Sequence, residues 1–271
     1  MKAVLPPAVV LLAVVLLWYG AAALLNGPAA PLAAWSLDRP LLPAPHQIAA
    51  TWWQGVVGWK VTSPRSLVYH AGVTAASALL GLAFAVVAGI GLAIVVVHSR
   101  TLDRALMPWI VASQTVPVLA IAPVVVVALG NAGITGLLPK ALIAGYLSFL
   151  PITAGMVTGL RAPDAMQMDL LRSYAASRAQ VLALLRWPAS IGFLLPALRV
   201  AVSLSLVGAI VAELPTGAQA GLGARLLAGS YYGQILQLWA ALAMAAVLAM
   251  LGLAAVDALA RGVAALRGGR L

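Results

Sequence analysis

DLLRSYAASRAQVLALLRWP, residues 169–188, decides how the rest of the chain is read. It carries Arg172, Arg178 and Arg186, yet keeps a helical apolar rhythm at Leu170, Leu171, Tyr174, Val181, Leu182 and Leu185. Ala175, Ala176 and Ala179 form a small-residue patch that another surface can approach closely. Arginine-bearing and amphipathic, the stretch lies between much more apolar runs. It suits a short helix–turn–helix on the face of a membrane protein.

The composition agrees with that setting. Of the 271 residues, 63% are hydrophobic and 8% charged, against about 25% charged in soluble domains. Six acidic residues (Asp38, Asp103, Asp164, Asp169, Glu213, Asp257) are too few for a water-solvated surface, so the solvent is lipid. The net charge of +10 sits between apolar runs, a pattern of membrane topology rather than of nucleic-acid binding. The absence of cysteine excludes disulfides and thiolate metal sites.

Outward from the central stretch, the apolar runs predict six spanning helices: residues 5–25, 69–97, 109–129, 137–160, 193–214 and 234–260. The first begins after Lys2. It is too long for a typical signal-peptide core and is expected to stay uncleaved. Residues 26–67 are rich in proline (Pro28, Pro31, Pro40, Pro43, Pro45) and tryptophan (Trp35, Trp52, Trp53, Trp59). They read as an external connector in which HQIAATWWQGVVG forms an interfacial helix. The domains expected are 1–68, the first helix with this connector, and 69–271, a core whose segment 161–192 faces the cytoplasm.

Gly72, Gly81, Gly89 and Gly91, with nearby alanines, predict close packing of the second helix on other helices. HSRTLDRALMP, residues 98–108, reads as a short basic loop. The third helix is interrupted by Pro117 and Pro123 and the fourth by Pro151. Proline breaks free carbonyls that only protein or a water-filled cavity can satisfy. Gln114 and Thr115 beside Pro117 are therefore candidate path residues. So is Glu213 near the end of the fifth helix, because ionisable groups in membrane segments are functional candidates by default. Arg199, in the same helix, is expected to snorkel to the near interface. GNAGITG, 130–136, reads as a turn, and PTGAQAGLGARLLAGSYYG, 215–233, as an external loop with one short interfacial helix.

The positive-inside rule orients the chain. With both ends in the cytoplasm, Lys2, Arg100, Arg104, Arg161, Arg172, Arg178, Arg186, Arg261, Arg267 and Arg270 lie inside. Arg39, Lys60, Arg65, Arg225 and Lys140 lie outside.

The sequence carries no persuasive catalytic constellation. His46, His70 and His98 lack metal-ligand spacing, and there is no nucleophile elbow, phosphate-binding loop or carboxylate pair. No cofactor is expected. Helix centres nearly free of ionisable groups argue against an ion-coupled pump, which needs them. Energy for uphill movement would then come from a partner. Two other readings stay open at this point: a secondary transporter that needs no ATPase, and a membrane scaffold without transport.

Residues 169–188 resemble the cytoplasmic loop motif of permease subunits in bacterial ATP-binding-cassette importers. Asp169 stands at the acidic position, Leu170 and Leu171 at an alanine pair, and Ala175 where glycine is usual. Leu185 takes the aliphatic position, and Trp187-Pro188 the closing Leu-Pro pair. RSYAASRAQ (172–180), VPVLAIAPVVVVALG (116–130), FLPITAGMVTGL (149–160), PALRVAVSLSLVGAIVAEL (196–214) and GLG (221–223) are similar to the nitrate, sulfonate and taurine branch. The resemblance covers residues 70–260. It implies an all-α, type I importer permease fold in the bacterial inner membrane.

It also implies partners: cytoplasmic ATPase subunits that hydrolyse ATP, a second permease copy, and a periplasmic or lipid-anchored solute-binding protein. ATPase coupling would fall to Asp169, Leu171, Arg172, Tyr174, Ala175, Ala176, Arg178, Leu185, Trp187 and Pro188, with Tyr174 and Leu171 as apolar anchors. The solute would be small: nitrate-, sulfonate- or taurine-like, or a thiamine-precursor pyrimidine. Membrane lipids complete the surroundings.

Overall fold

The computed structural model describes residues 5–26, 40–214 and 218–267. Lys2, Pro28, Pro31, Trp35, Asp38, Arg39, Pro215 and Arg270 lie outside the described residues, as does most of the first half of the expected connector. Among the described residues the regular elements are all helical. Four unbroken helices join the N-terminal one as candidate spans: Leu67–His98, Leu137–Arg161, Arg178–Glu213 and Ile235–Leu266. A bent pair, Arg100–Ser113 with Val118–Asn131, brings the number to as many as six. The chain divides into two compact units, one of residues 1–73 with 217–247, the other of 74–216 with 248–271. The boundary expected at residue 68 follows chain order, whereas these units interleave.

The first unit holds α1 (Leu5–Leu25), α2 (Pro45–Val57), the start of α3 (Leu67–His98), α10 (Leu222–Tyr231) and the start of α11 (Ile235–Leu266). Side chains fasten the α1–α2 connection at both ends. The Trp18 indole donates to the Pro43 carbonyl at 3.1 Å, and the Asn26 amide donates to the Leu42 carbonyl at 3.0 Å. Proline at the first position starts α2, and the Gln47 side chain accepts from the Ala44 amide at 3.0 Å. Leu67, Ala240 and Ala241 are buried under Trp52, Val56, Leu226 and Met244. The interfacial helix expected in HQIAATWWQGVVG is α2, and the short helix expected in 215–233 is α10.

The second unit is built on α3, α6 (Leu137–Arg161) and α9 (Trp187–Glu213), with α4 (Arg100–Ser113), α5 (Val118–Asn131), α7 (Ala165–Ser173), α8 (Arg178–Val181) and the end of α11. Its three central helices meet without side-chain spacers. A Cβ on Gly81 would fall 2.5 Å from the Ala141 carbonyl oxygen, and one on Gly208 2.7 Å from the Ala144 Cα. In lipid such backbone contact replaces the hydrophobic effect as the source of helix association. Buried hydroxyls turn back on their own helices: Thr153 donates to the Phe149 carbonyl at 2.8 Å and Ser190 to that of Trp187 at 2.8 Å.

Three sequence expectations change here. Residues 98–108 are not a loop. α4 starts at Arg100, one residue after α3 ends, because Ser99 caps it by accepting from the Leu102 amide at 3.3 Å, and Asp103 complements the helix dipole in the first turn. The third span is not one helix over 109–129 but α4 and α5, bent by 97°. The break falls at 114–117, while Pro123 sits inside an unbroken α5. Pro151 does not break α6 either. Its neighbours Ile152, Thr153 and Met156 are fully buried, so packing on both flanks holds the axis against one lost hydrogen bond.

Candidate functional site

The central stretch forms a short helix, a tight turn and the start of a long helix. Asp164 caps α7 by accepting from the Gln167 amide at 2.7 Å, and the Gln167 side chain accepts in return from the Asp164 amide at 3.3 Å. This reciprocal box fixes the helix start. At the other end the Ala176 amide donates to the Leu171 carbonyl at 3.0 Å and the Ala175 amide to the Arg172 carbonyl at 2.9 Å. These two bonds are a Schellman motif, which puts the residue after the cap in the left-handed region. Ala175 is that residue, at φ 52°, and no other non-glycine described has positive φ. The glycine usual at this place in the resembling motif thus has a conformational reason.

Ser177 begins α8 with a second capping box to Gln180. α8 then runs through a π-helical turn, Leu182–Arg186, into α9. The Trp187 amide reaches back five residues to the Leu182 carbonyl, and Pro188 follows with no amide to give. The Arg267 guanidinium donates to the Pro188 carbonyl at 3.0 Å. From Arg178 to Glu213 the helix is continuous over 36 residues. That is about 54 Å against a hydrocarbon core of about 30 Å, so it extends beyond the core and can carry motion across it.

α7 wastes its apolar side chains on solvent. Met166, Leu170 and Tyr174, four residues apart on one face, are 84%, 58% and 76% exposed. Leu171 is half-buried on the inner side, as is Leu185, while Trp187 is exposed. Sequence reasoning placed Leu171 beside Tyr174 as an anchor and missed Met166, although its spacing from Leu170 and Tyr174 signals the same face. Asp169 and Arg172 pair at 2.8 Å on the surface, a contact worth little to stability. Behind the stripe, a cleft of about 290 Å³ is lined by His98, Met168, Arg172, Ala176, Arg178 and Arg186, among others.

The membrane-path candidates fall in two places. Gln114, Thr115 and Pro117 form the 97° bend between α4 and α5. There the Gln114 side chain donates to the Tyr146 carbonyl at 3.2 Å, Thr115 donates to the Ala112 carbonyl at 2.7 Å, and the Tyr146 hydroxyl donates to the Ser113 carbonyl. The backbone groups freed by the break are thus satisfied by α6 and by the bend itself.

Glu213 is anchored elsewhere. Fully buried, it accepts from the Thr74 hydroxyl at 3.0 and 3.1 Å and pairs with Lys140 at 3.7 Å. The path candidate expected near the end of the fifth helix is a buried carboxylate joining α3, α6 and α9. Arg199 also differs from expectation. It lies mid-α9 rather than near an end, and pairs with Asp257 of α11 at 2.7 Å. Neither set of partners has a local sequence signal.

Comparison with known proteins agrees with this architecture. Residues 85–265 match the binding-protein-dependent transport system inner membrane component family. The chain is 33% identical over 184 residues to the formylaminopyrimidine transport permease protein of Halalkalibacterium halodurans, covering 68% of each. It is 31% identical over 208 residues to a probable ABC transporter permease protein of Haemophilus influenzae, covering 77% of this chain and 82% of that one. It is 30% identical over 184 residues to the riboflavin transport system permease protein of Chloroflexus aurantiacus, covering 68% and 65%. With its apolar helices and its match over most of its length, the chain belongs to the binding-protein-dependent inner membrane transport family, as a multi-pass permease subunit of an ATP-binding-cassette importer.

Proposed function

We propose that the chain forms the gated membrane path for a small nitrogen-heterocyclic solute and couples that path to a cytoplasmic ATPase through residues 161–192. The observation that carries the coupling is the exposed stripe Met166–Leu170–Tyr174 on a helix capped at both ends. A rigid amphipathic helix with an uncovered apolar face suits a groove on a soluble partner. Asp169, Arg172 and Arg178 form the polar rim, and Ala175 and Ala176 leave room for close approach. Leu171 and Leu185 hold the segment from its inner side, and Trp187 and Pro188 start the long helix that moves with it. ATP is hydrolysed on the partner; this chain supplies no catalytic residue.

The bend at Gln114, Thr115 and Pro117 is the hinge of the path, and Glu213 steadies the helices around it. Residues 69–271 form the core permease domain. A second copy completes the path, an external solute-binding protein delivers the solute, lipids fill the surround, and both chain termini lie in the cytoplasm. The solute class draws on relatives named for formylaminopyrimidine and riboflavin transport. Similarity to relatives named for carriers of heterocycles, over two thirds of the chain, favours this class over the nitrate-, sulfonate- or taurine-like alternative.

The test is co-purification of the tagged chain from its host, wild type beside Leu170→Asp and Tyr174→Asp. Wild type is expected to bring down an ATPase subunit. The variants, unchanged in thermal unfolding because these side chains are exposed, are expected to lose it. Equal recovery with folded variants would sink the coupling assignment.

A further inference from the structure

The first unit contains a polar cleft that transport coupling does not use. It has a volume of about 160 Å³ and is lined by Thr51, Gln54, Trp59, Arg65, Arg225 and Gln237, among others. We propose that this cleft holds the phosphodiester of a phospholipid headgroup, with Arg65 and Arg225 as its cationic ligands.

Charge comes first. Two guanidiniums share one small cleft, no carboxylate lines it, and among the described residues neither arginine makes a salt bridge. The Arg225 Nε is buried without a hydrogen-bond partner. Burial also lowers the pKa of this guanidinium from its ordinary value, so an anion is the missing compensation. The nearby imidazole cannot supply it. His70 accepts from the Gly221 amide at Nδ1, 3.0 Å, and its Nε2 donates to the Pro64 carbonyl, 2.8 Å. Both nitrogens are thereby committed in the neutral form.

Geometry comes next. Arg65 stacks over the Trp59 ring with its guanidinium carbon 4.9 Å from the centroid. The contact restrains the fork but leaves its edges free to donate. Planar forks match phosphate oxygens with two parallel hydrogen bonds. Gln54 and Gln237 add neutral donors, as a phosphodiester with several oxygens requires, while the Thr51 hydroxyl is spent on the Gln47 carbonyl at 2.9 Å.

Position then selects the source of the phosphate. Arg65 lies two residues before the span Leu67–His98, and Gln237 lies in the first turn of the span Ile235–Leu266. The cleft therefore sits where two spans leave the hydrocarbon core, at headgroup depth. The exposed side chains beside it, Trp53, Val57, Trp59 and Val61, suit the boundary between headgroup and acyl chain, where tryptophan is favoured.

The experiment titrates the full-length detergent-purified chain, with any partners that remain bound, using dioctanoyl phosphatidylglycerol read by native mass spectrometry. Wild type is expected to hold one tight lipid equivalent. Arg65→Gln with Arg225→Gln is expected to weaken that equivalent by about tenfold or more, with Arg225→Lys in between. Inorganic phosphate at millimolar concentration is expected not to displace the lipid. If phosphate alone fills the site as tightly, the cleft is a free-anion site and the proposal fails. Unchanged lipid binding in the double variant would also overturn it, as would loss of a bound protein partner with the lipid retained. Should Arg225→Gln prevent folding, the exposed Arg65→Gln and Gln237→Leu variants carry the same reading.

Discussion

At the scale of single residues, two positions work against intrinsic preference. Ala175 occupies the left-handed region that favours glycine, at φ 52°, where a Cβ costs roughly 1–2 kcal/mol. Glycine would lose more chain entropy on folding, so Ala175→Gly is expected to stabilise the chain by up to about 1 kcal/mol. Thermal unfolding in detergent checks this, and a lower midpoint would count against the Schellman reading. Glu213 is buried with Lys140 and Thr74. Removing one member breaks the buried pair, so Glu213→Ala is expected to cost about 3 kcal/mol. Replacing both charges, with Glu213→Leu and Lys140→Met, is expected to recover most of that loss, because a buried pair and an apolar pair are close in free energy. A double variant no better than Glu213→Ala would show that the carboxylate, rather than the pairing, matters.

At the scale of elements, close backbone contact is the main packing device of the second unit. Gly208 meets the Ala144 Cα directly, and no flexible side chain can yield. Gly208→Val is therefore expected to destabilise by about 1–3 kcal/mol or more, while the same change at Gly192, with open space around it, is expected to be much milder. Unfolding midpoints of the two variants, compared side by side, test whether packing or propensity dominates. The same contrast explains what the sequence could reveal. Gly81 and Gly89 pack as their spacing implies, whereas Gly72 and Gly91 meet nothing, because a small-residue pattern marks a permissive face and not its partner. Proline was also ambiguous. Pro117 marks the bend, but Pro123 and Pro151 lie in unbroken helices; at Pro151 burial of the neighbours outweighs one missing hydrogen bond. α4 was missed because its charges look like a loop, although Ser99 and Asp103 are a legible helix start. The Met166–Leu170–Tyr174 stripe was legible in part. The partners of Glu213 and Arg199 were not, being set by contacts 139 and 58 residues away.

At the scale of the whole molecule, arginine distribution and the coupling proposal make one joint demand on orientation. If α7 meets a soluble ATPase, Ser173 faces the cytoplasm. With the bent α4–α5 pair as one span, three spans separate Ser173 from the connection between α2 and α3, which carries Lys60 and Arg65, so that connection lies on the opposite side. The chain has no cysteine, so single-cysteine variants report side without background. Lys60→Cys is expected to react with a membrane-impermeant maleimide in intact spheroplasts, and Ser173→Cys only after the membrane is opened. Both side chains are exposed, so a missing signal reflects membrane side and not burial. The reverse pattern would put the apolar stripe of α7 outside the cell, beyond reach of any ATPase, and the coupling role would fall with it. Labelling of both in intact spheroplasts would instead mean an even number of crossings between them, with α3 and α6 spanning and the bent α4–α5 pair re-entrant. Orientation thus binds the proposals together: the docking helix, the cytoplasmic termini and the direction of import stand or fall on the side that Ser173 faces.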